Sequence, residues 1–140
     1  MKTFEDLKKV LTLNYREDDI KIVIRAFHFA SEAHKGQKRR TGEDYIYHSI
    51  ATAYNLAKMK MDIPSIAAGL LHDVPEDTDF TFEDLKNNFG KEIYYLVKGV
   101  TKLGTLKYRG LERYAENLRK MFLAMSQDLR VIIIKLADRM

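Results

Sequence analysis

The sequence predicts an all-α protein, a compact bundle of several helices. Three observations carry that expectation. Apolar residues recur three and four positions apart through most of the chain. Only 7 Gly and 2 Pro interrupt them, too few for the many turns of a β-sandwich. No two stretches read as strands strong enough to pair. The 140 residues suit a single domain over 1–140, and 46% hydrophobic residues are enough for an ordinary core.

The elements follow in order. A first helix is expected over 3–13 and a fifth over 81–89, because the hexamer TFEDLK occurs at both starts, 3–8 and 81–86. In each copy Thr is the N-cap and acidic residues fill the first turn, where the helix dipole favours them. The flanks of the two copies differ, so the hexamer marks two helix starts and not a domain repeat. A second helix over 17–34 carries Ile20, Val23, Phe27 and Ala30 on one face. A third over 45–60 carries Ile46, Ile50, Ala53 and Ala57. The fourth, 64–73, opens on Pro64, which a first turn tolerates, and shows Ile63, Ile66, Ala67, Leu70 and Leu71. It should stop near Asp73, since the residue before Pro75 is pushed out of the helical region. Further helices are expected over 91–102 and 110–126. The last, 128–140, is apolar at Leu129, Ile132, Ile133, Leu136 and Met140 and should be buried on most sides.

Composition excludes several classes. There is no cysteine, hence no disulfide framework, thiolate metal site or cysteine nucleophile. The longest apolar run, 66–71, is too short for a membrane span, and the N-terminus lacks the apolar core of a signal peptide. A cytoplasmic location with no membrane contact is therefore expected. The net charge of +4 suits an anionic partner without naming it.

The stretch LLHDVPEDTDFT is the most informative. His72 and Asp73 adjoin at the end of an apolar helix, and Glu76 and Asp77 follow. An imidazole beside a carboxylate makes a pair of candidate metal ligands, and the further carboxylates can handle protons for an activated water. A polar loop after a helix explains the same letters. His48 lies in the apolar stretch YIYHSI, and Asp138 shares a helical face with Val131 and Ile134. A buried carboxylate there requires either a salt bridge or a metal. Two His and two Asp together suit a borderline or fairly hard divalent ion such as Mn, Fe or Zn. His28 and His34, on the second helix, read as structural, with His34 near the helix end.

Between the second and third helices lies HKGQKRRTGED, with Lys35, Lys38, Arg39 and Arg40. It reads either as a solvated loop or as an anion site, since Arg offers a planar fork to phosphate and a flat face to a base. The patch is too short for nucleic acid and matches no nucleic-acid-binding signature.

The ordered segments AFHFASEAHKGQKRRTGEDYIYHS, GLLHDVPEDT, LVKGVTKL and AENLRKMFLAMSQDLRVIIIKLADR resemble the N-terminal hydrolase domain of the RelA/SpoT homologue family, within the HD superfamily of helical metal-dependent phosphohydrolases. The resemblance runs from about residue 20 to the end. It implies one Mn2+ per chain held by His48, His72, Asp73 and Asp138. It implies Glu76 and Asp77 as the catalytic acidic pair, and Lys35, Arg39, Arg40 and Thr41 as the nucleotide-binding set. The implied reaction is hydrolysis of the 3′-pyrophosphate of guanosine tetra- or pentaphosphate, giving pyrophosphate and GDP or GTP in the stringent response. Asp44 and Ser49 stand where the family commonly has Pro, and Pro75 where it has Val. The family continues past Asp138 with further helices and with synthetase and regulatory domains, so the chain is expected to be one domain of a longer protein. Two alternatives remain: an HD-type hydrolase of another nucleotide, and an alarmone-binding module with little turnover.

Overall fold

A computed structural model describes residues 2–104 and 128–139. Among them are eight helices: α1 (Phe4–Asn14), α2 (Glu17–Ala33), α3 (Tyr45–Lys58), α4 (Ile63–Leu71), α5 (Val74–Asp77), α6 (Phe82–Phe89), α7 (Lys91–Gly104) and α8 (Leu129–Arg139). No strand occurs among the described residues; a single antiparallel bridge joins Lys38 and Asp44 in the basic loop. The helix expected over 110–126 lies outside the described residues.

The two TFEDLK copies behave alike. Thr3 and Thr81 each cap their helix, and Asp6 and Asp84 reach back to close a capping box. Tandem satisfaction of otherwise unpaired N–H groups explains why both helices start where the hexamer does.

α4 is the centre. Its apolar positions were expected to form one face, yet Ile63 and every residue from Ser65 to Leu71 are buried. The cause is its neighbours, for α2, α3, α7 and α8 all pack against it. Gly69 and Ala68 keep its girth small enough for that. A Cβ on Gly69 would stand 2.7 Å from Leu56 Cδ1 of α3. The same device recurs where α7 crosses α8: a Cβ on Gly99 would stand 2.6 Å from Val131 Cγ2.

Two expectations change. α4 ends at Leu71 with His72 as its cap, close to the expected stop, but the chain then makes a separate single turn, α5, with Pro75 in its first positions. Val74 is helical despite preceding Pro75, because its side chain is fully buried and fixes the turn. The other correction concerns α8, which is not buried on most sides. Val131, Ile134 and Ala137 face the core, whereas Leu129 and Leu136 are more than half exposed. The consecutive apolar residues Val131–Ile134 point to several sides, so the sequence alone does not say which side the neighbours take. Arg130 anchors its start through Asp62 on the α4 N-cap, Glu92 on α7 and Asp128.

Candidate metal centre

Three helix ends converge on one point. α3 brings His48 from its first turn. The C-cap of α4 is His72, and Asp73 caps α5. The final turn of α8 brings Asp138, ninety residues away from His48 in sequence. One ligand atom from each of the four lies within 4.8 Å of the other three. His48 Nε2 stands 2.6 Å from Asp138 Oδ1 and 3.8 Å from Asp73 Oδ2. His72 Nε2 stands 2.9 Å from Asp73 Oδ2 and 3.1 Å from Asp138 Oδ1.

The protonation logic tests whether the cluster fits a metal. His72 Nδ1 lies 2.6 Å from the Gly69 carbonyl, which can only accept, so Nδ1 carries the proton. A neutral His72 therefore points the lone pair of Nε2 at two carboxylate oxygens. Three acceptors facing one another need a cation among them. In the metal-free protein a proton supplies it: burial pulls the His72 pKa down, but hydrogen bonds to Asp138 and Asp73 outweigh it and the value is pushed up to about 10. Burial would raise the Asp138 carboxyl, yet His48 and His72 hold it well below the usual range, and His72 and Tyr45 do the same for Asp73. Two carboxylates and two imidazole nitrogens match the charge and the donor preference of a divalent ion. An Nδ1–H bound to a backbone carbonyl is also the arrangement that orients a ligating histidine. The four residues fit a metal.

Beside the cluster is a cavity of about 400 Å³ lined by Arg39, Tyr45, His48, Asp73, Asp138 and Arg139. Arg39 is thus brought to the site. Lys35, Arg40 and Thr41 are exposed and do not line this cavity. Lys38 is occupied by Asp44 at 2.9 Å, an exposed pair worth little. Glu76 and Asp77 sit exposed on α5, beyond Asp73. The Glu76 pKa is raised, by burial and then by the charges of Asp73 and Asp77.

Sequence reasoning missed two neighbours of the ligands. Tyr45 donates its hydroxyl to Asp73 Oδ2 at 2.7 Å, and Lys135 approaches Asp138 Oδ2 at 3.1 Å. The Asp138 carboxylate therefore meets both rival expectations: one oxygen has a salt bridge and the other joins the cluster. A signal for Lys135 existed, since it lies three residues before Asp138 and so on the same side of the helix. Tyr45 gave none, because its partner is on another element. His34 and His28 remain outside the ligand set, His34 buried and His28 exposed.

Comparisons with known proteins show what the chain is similar to. The chain is 50% identical over 140 residues to the bifunctional (p)ppGpp synthase/hydrolase SpoT of Escherichia coli K12, covering 99% of this chain and 20% of that one. It is 47% identical over 136 residues to the guanosine-3′,5′-bis(diphosphate) 3′-pyrophosphohydrolase of Aquifex aeolicus, covering 97% and 19%. The chain thus spans about a fifth of the length of these relatives. A solved structure described as a metazoan ortholog of SpoT that hydrolyzes ppGpp superposes with a TM-score of 0.65 at 30% identity, over 84% of this chain and 65% of the other. The HD domain family matches residues 26–140, which include all four clustered ligands, and with the helical fold around them this places the chain in the HD domain family.

Proposed function

We propose that this chain is the hydrolase domain of a RelA/SpoT-type protein, removing the 3′-pyrophosphate of guanosine tetra- or pentaphosphate with one Mn2+ held by His48, His72, Asp73 and Asp138. The observation that carries the reading is the convergence of those four donors beside a cavity that Arg39 also lines. The names of the relatives at 47–50% identity support the substrate. When bound, the ion acts as a Lewis acid on a phosphoryl oxygen and lowers the pKa of water. Arg39 offers its planar guanidinium to the diphosphate, and its flat face can stack on guanine. Lys35, Arg40 and Thr41 lie on the same loop outside the cavity, where they can meet only the part of the nucleotide that extends beyond it. Water adds to the phosphorus attached to the ribose 3′-oxygen, and the bond between that oxygen and phosphorus breaks. Glu76 and Asp77 take the proton from the water and return one to the departing 3′-oxygen, a task suited to a carboxyl whose pKa is raised. The products are pyrophosphate and GDP or GTP.

The relatives are about five times as long, and one is named a synthase as well as a hydrolase, which supports a longer parent chain with a synthetase domain. Among the described residues no helix is long and apolar enough to cross a membrane.

A substrate panel tests the reading. With Mn2+ present, ppGpp should release pyrophosphate while dGTP and cyclic dinucleotides stay intact. Turnover of dGTP with ppGpp untouched would assign the site to another nucleotide. Tight ppGpp binding without pyrophosphate release would make it a binding module.

A further inference from the structure

α5 is a single turn, and one turn does not hold itself, because nucleating a helix costs more than its first hydrogen bond returns. Yet its first flanking residue is the ligand Asp73 and its last two are Glu76 and Asp77. The buried Val74 side chain seats its start, and two hydrogen bonds from outside α5 hold its ends, both from the base of the basic loop. Tyr45 donates to Asp73 Oδ2 at 2.7 Å, and Gln37 Nε2 donates to the Asp77 carbonyl at 2.5 Å. They grip the turn at its two ends.

The two donors are themselves fixed to each other. Tyr45 N–H donates to the Gln37 carbonyl at 3.0 Å, and Gln37 N–H donates to the His34 carbonyl at 2.9 Å. His34, 2% exposed, joins them through its side chain. Its ring stacks on Tyr45 with centroids 4.7 Å apart at 22°, and its Nδ1 lies 3.0 Å from Gln37 Oε1. The amide is oriented by chemistry: the Asp77 carbonyl only accepts, so Nε2 faces it and Oε1 accepts from His34 Nδ1–H. His34 Nε2 is buried with no partner among the described residues, so the only polar contact of this side chain among them is with Gln37.

We propose that Tyr45 and Gln37 are positioning residues: Tyr45 orients Asp73 as a metal ligand, Gln37 anchors the turn bearing Glu76 and Asp77, and His34 clamps the pair. The basic loop and the acidic turn are then one rigid unit. The role of Tyr45 rests on the metal-centre reading; that of Gln37 does not.

Two readouts separate the parts. The first is amide hydrogen exchange at Asp77 and Thr78 in metal-free protein. These N–H groups close α5 by bonding to the Asp73 and Val74 carbonyls. Gln37→Glu keeps the acceptor toward His34 and loses the donor toward Asp77; Gln37→Met loses both. Both variants should speed exchange at these two amides by about tenfold, the net worth of one hydrogen bond, while α6 amides stay unchanged. Unchanged exchange at Asp77 and Thr78 would overturn the role of Gln37. The second is calorimetric titration with Mn2+. Tyr45→Phe keeps the ring and its stack and should weaken Mn2+ binding by about tenfold or more. An unchanged affinity would overturn the role of Tyr45. If the unsubstituted chain itself bound no Mn2+, the metal-centre reading would fail and Tyr45 with it, while the exchange result would still decide Gln37.

Discussion

At the scale of single residues, the four candidate ligands divide the chemistry unevenly. His72 is the most constrained, with Nδ1 tied to Gly69 and Nε2 facing both carboxylates. Because it holds a proton up to about pH 10 in metal-free protein, metal binding must expel that proton. Calorimetry at pH 7.5 in buffers of different ionisation enthalpy should report release of about one proton per ion, and affinity that falls as pH falls. The same shift has a consequence for stability in the presence of a chelator. The folded pKa lies above the ordinary 6.5, so the stabilisation is complete below that pH and is lost as pH rises toward about 10. Urea midpoints between pH 6.5 and 10 should decline accordingly. Glu76→Gln should leave metal content intact and abolish turnover, because Glu76 stands beyond the ligands and not among them; steady-state kinetics beside elemental analysis would show it. The members of the cluster were legible because each put a costly polar group in an apolar setting: His48 in YIYHSI, Asp138 beside Val131 and Ile134, and His72–Asp73 at the end of an apolar helix. Tyr45 was illegible for the opposite reason. A tyrosine at a helix start is ordinary, and only the fold reveals the carboxylate it meets.

At the scale of elements, the helices with regular apolar spacing and Thr caps were legible to within a few residues. α5 was not, since four residues hold too little periodicity to see and Pro75 argued for a break. Besides the buried Val74 side chain, the hydrogen bonds that hold α5 come from Gln37 and Tyr45, which no local pattern encodes. Helix crossings give two contrasting predictions. Gly99→Ala would drive a methyl into the branched Val131, which has little rotamer freedom, and should cost about 1–3 kcal/mol. It should also loosen Mn2+ binding, because α8 carries Asp138. Gly69→Ala comes too close only to the far end of Leu56, which can turn aside, while Thr52 and Ala53 stay at ordinary contact distance, so the gain in helix propensity offsets most of the strain. Thermal unfolding of both variants would rank them. Lys60 ends α3 in the left-handed region at φ 59°, with the N–H groups of Lys60 and Met61 bonding back to Ala57 and Leu56. Lys60→Gly should therefore raise stability by about 0.5–1 kcal/mol, read from the same unfolding curves.

At the scale of the whole molecule, the central helix α4 holds the site together. It carries His72 at its end and is packed by α3 and α8, which carry His48 and Asp138. The sequence could name the four residues but not their meeting point, because contacts across ninety positions depend on how three helices cross. The structure supplies that meeting point, and all four residues lie within the stretch, 26–140, that the HD domain family matches. The central claim is that His48, His72, Asp73 and Asp138 form one metal centre. Its most direct test is the divalent metal content of the purified chain and of its Asp73→Ala variant after equal loading with Mn2+ and removal of the excess. About one ion per chain is expected in the first and a small fraction of that in the second, because the variant leaves His72 facing one carboxylate instead of two. Equal metal content in the two proteins would contradict the claim.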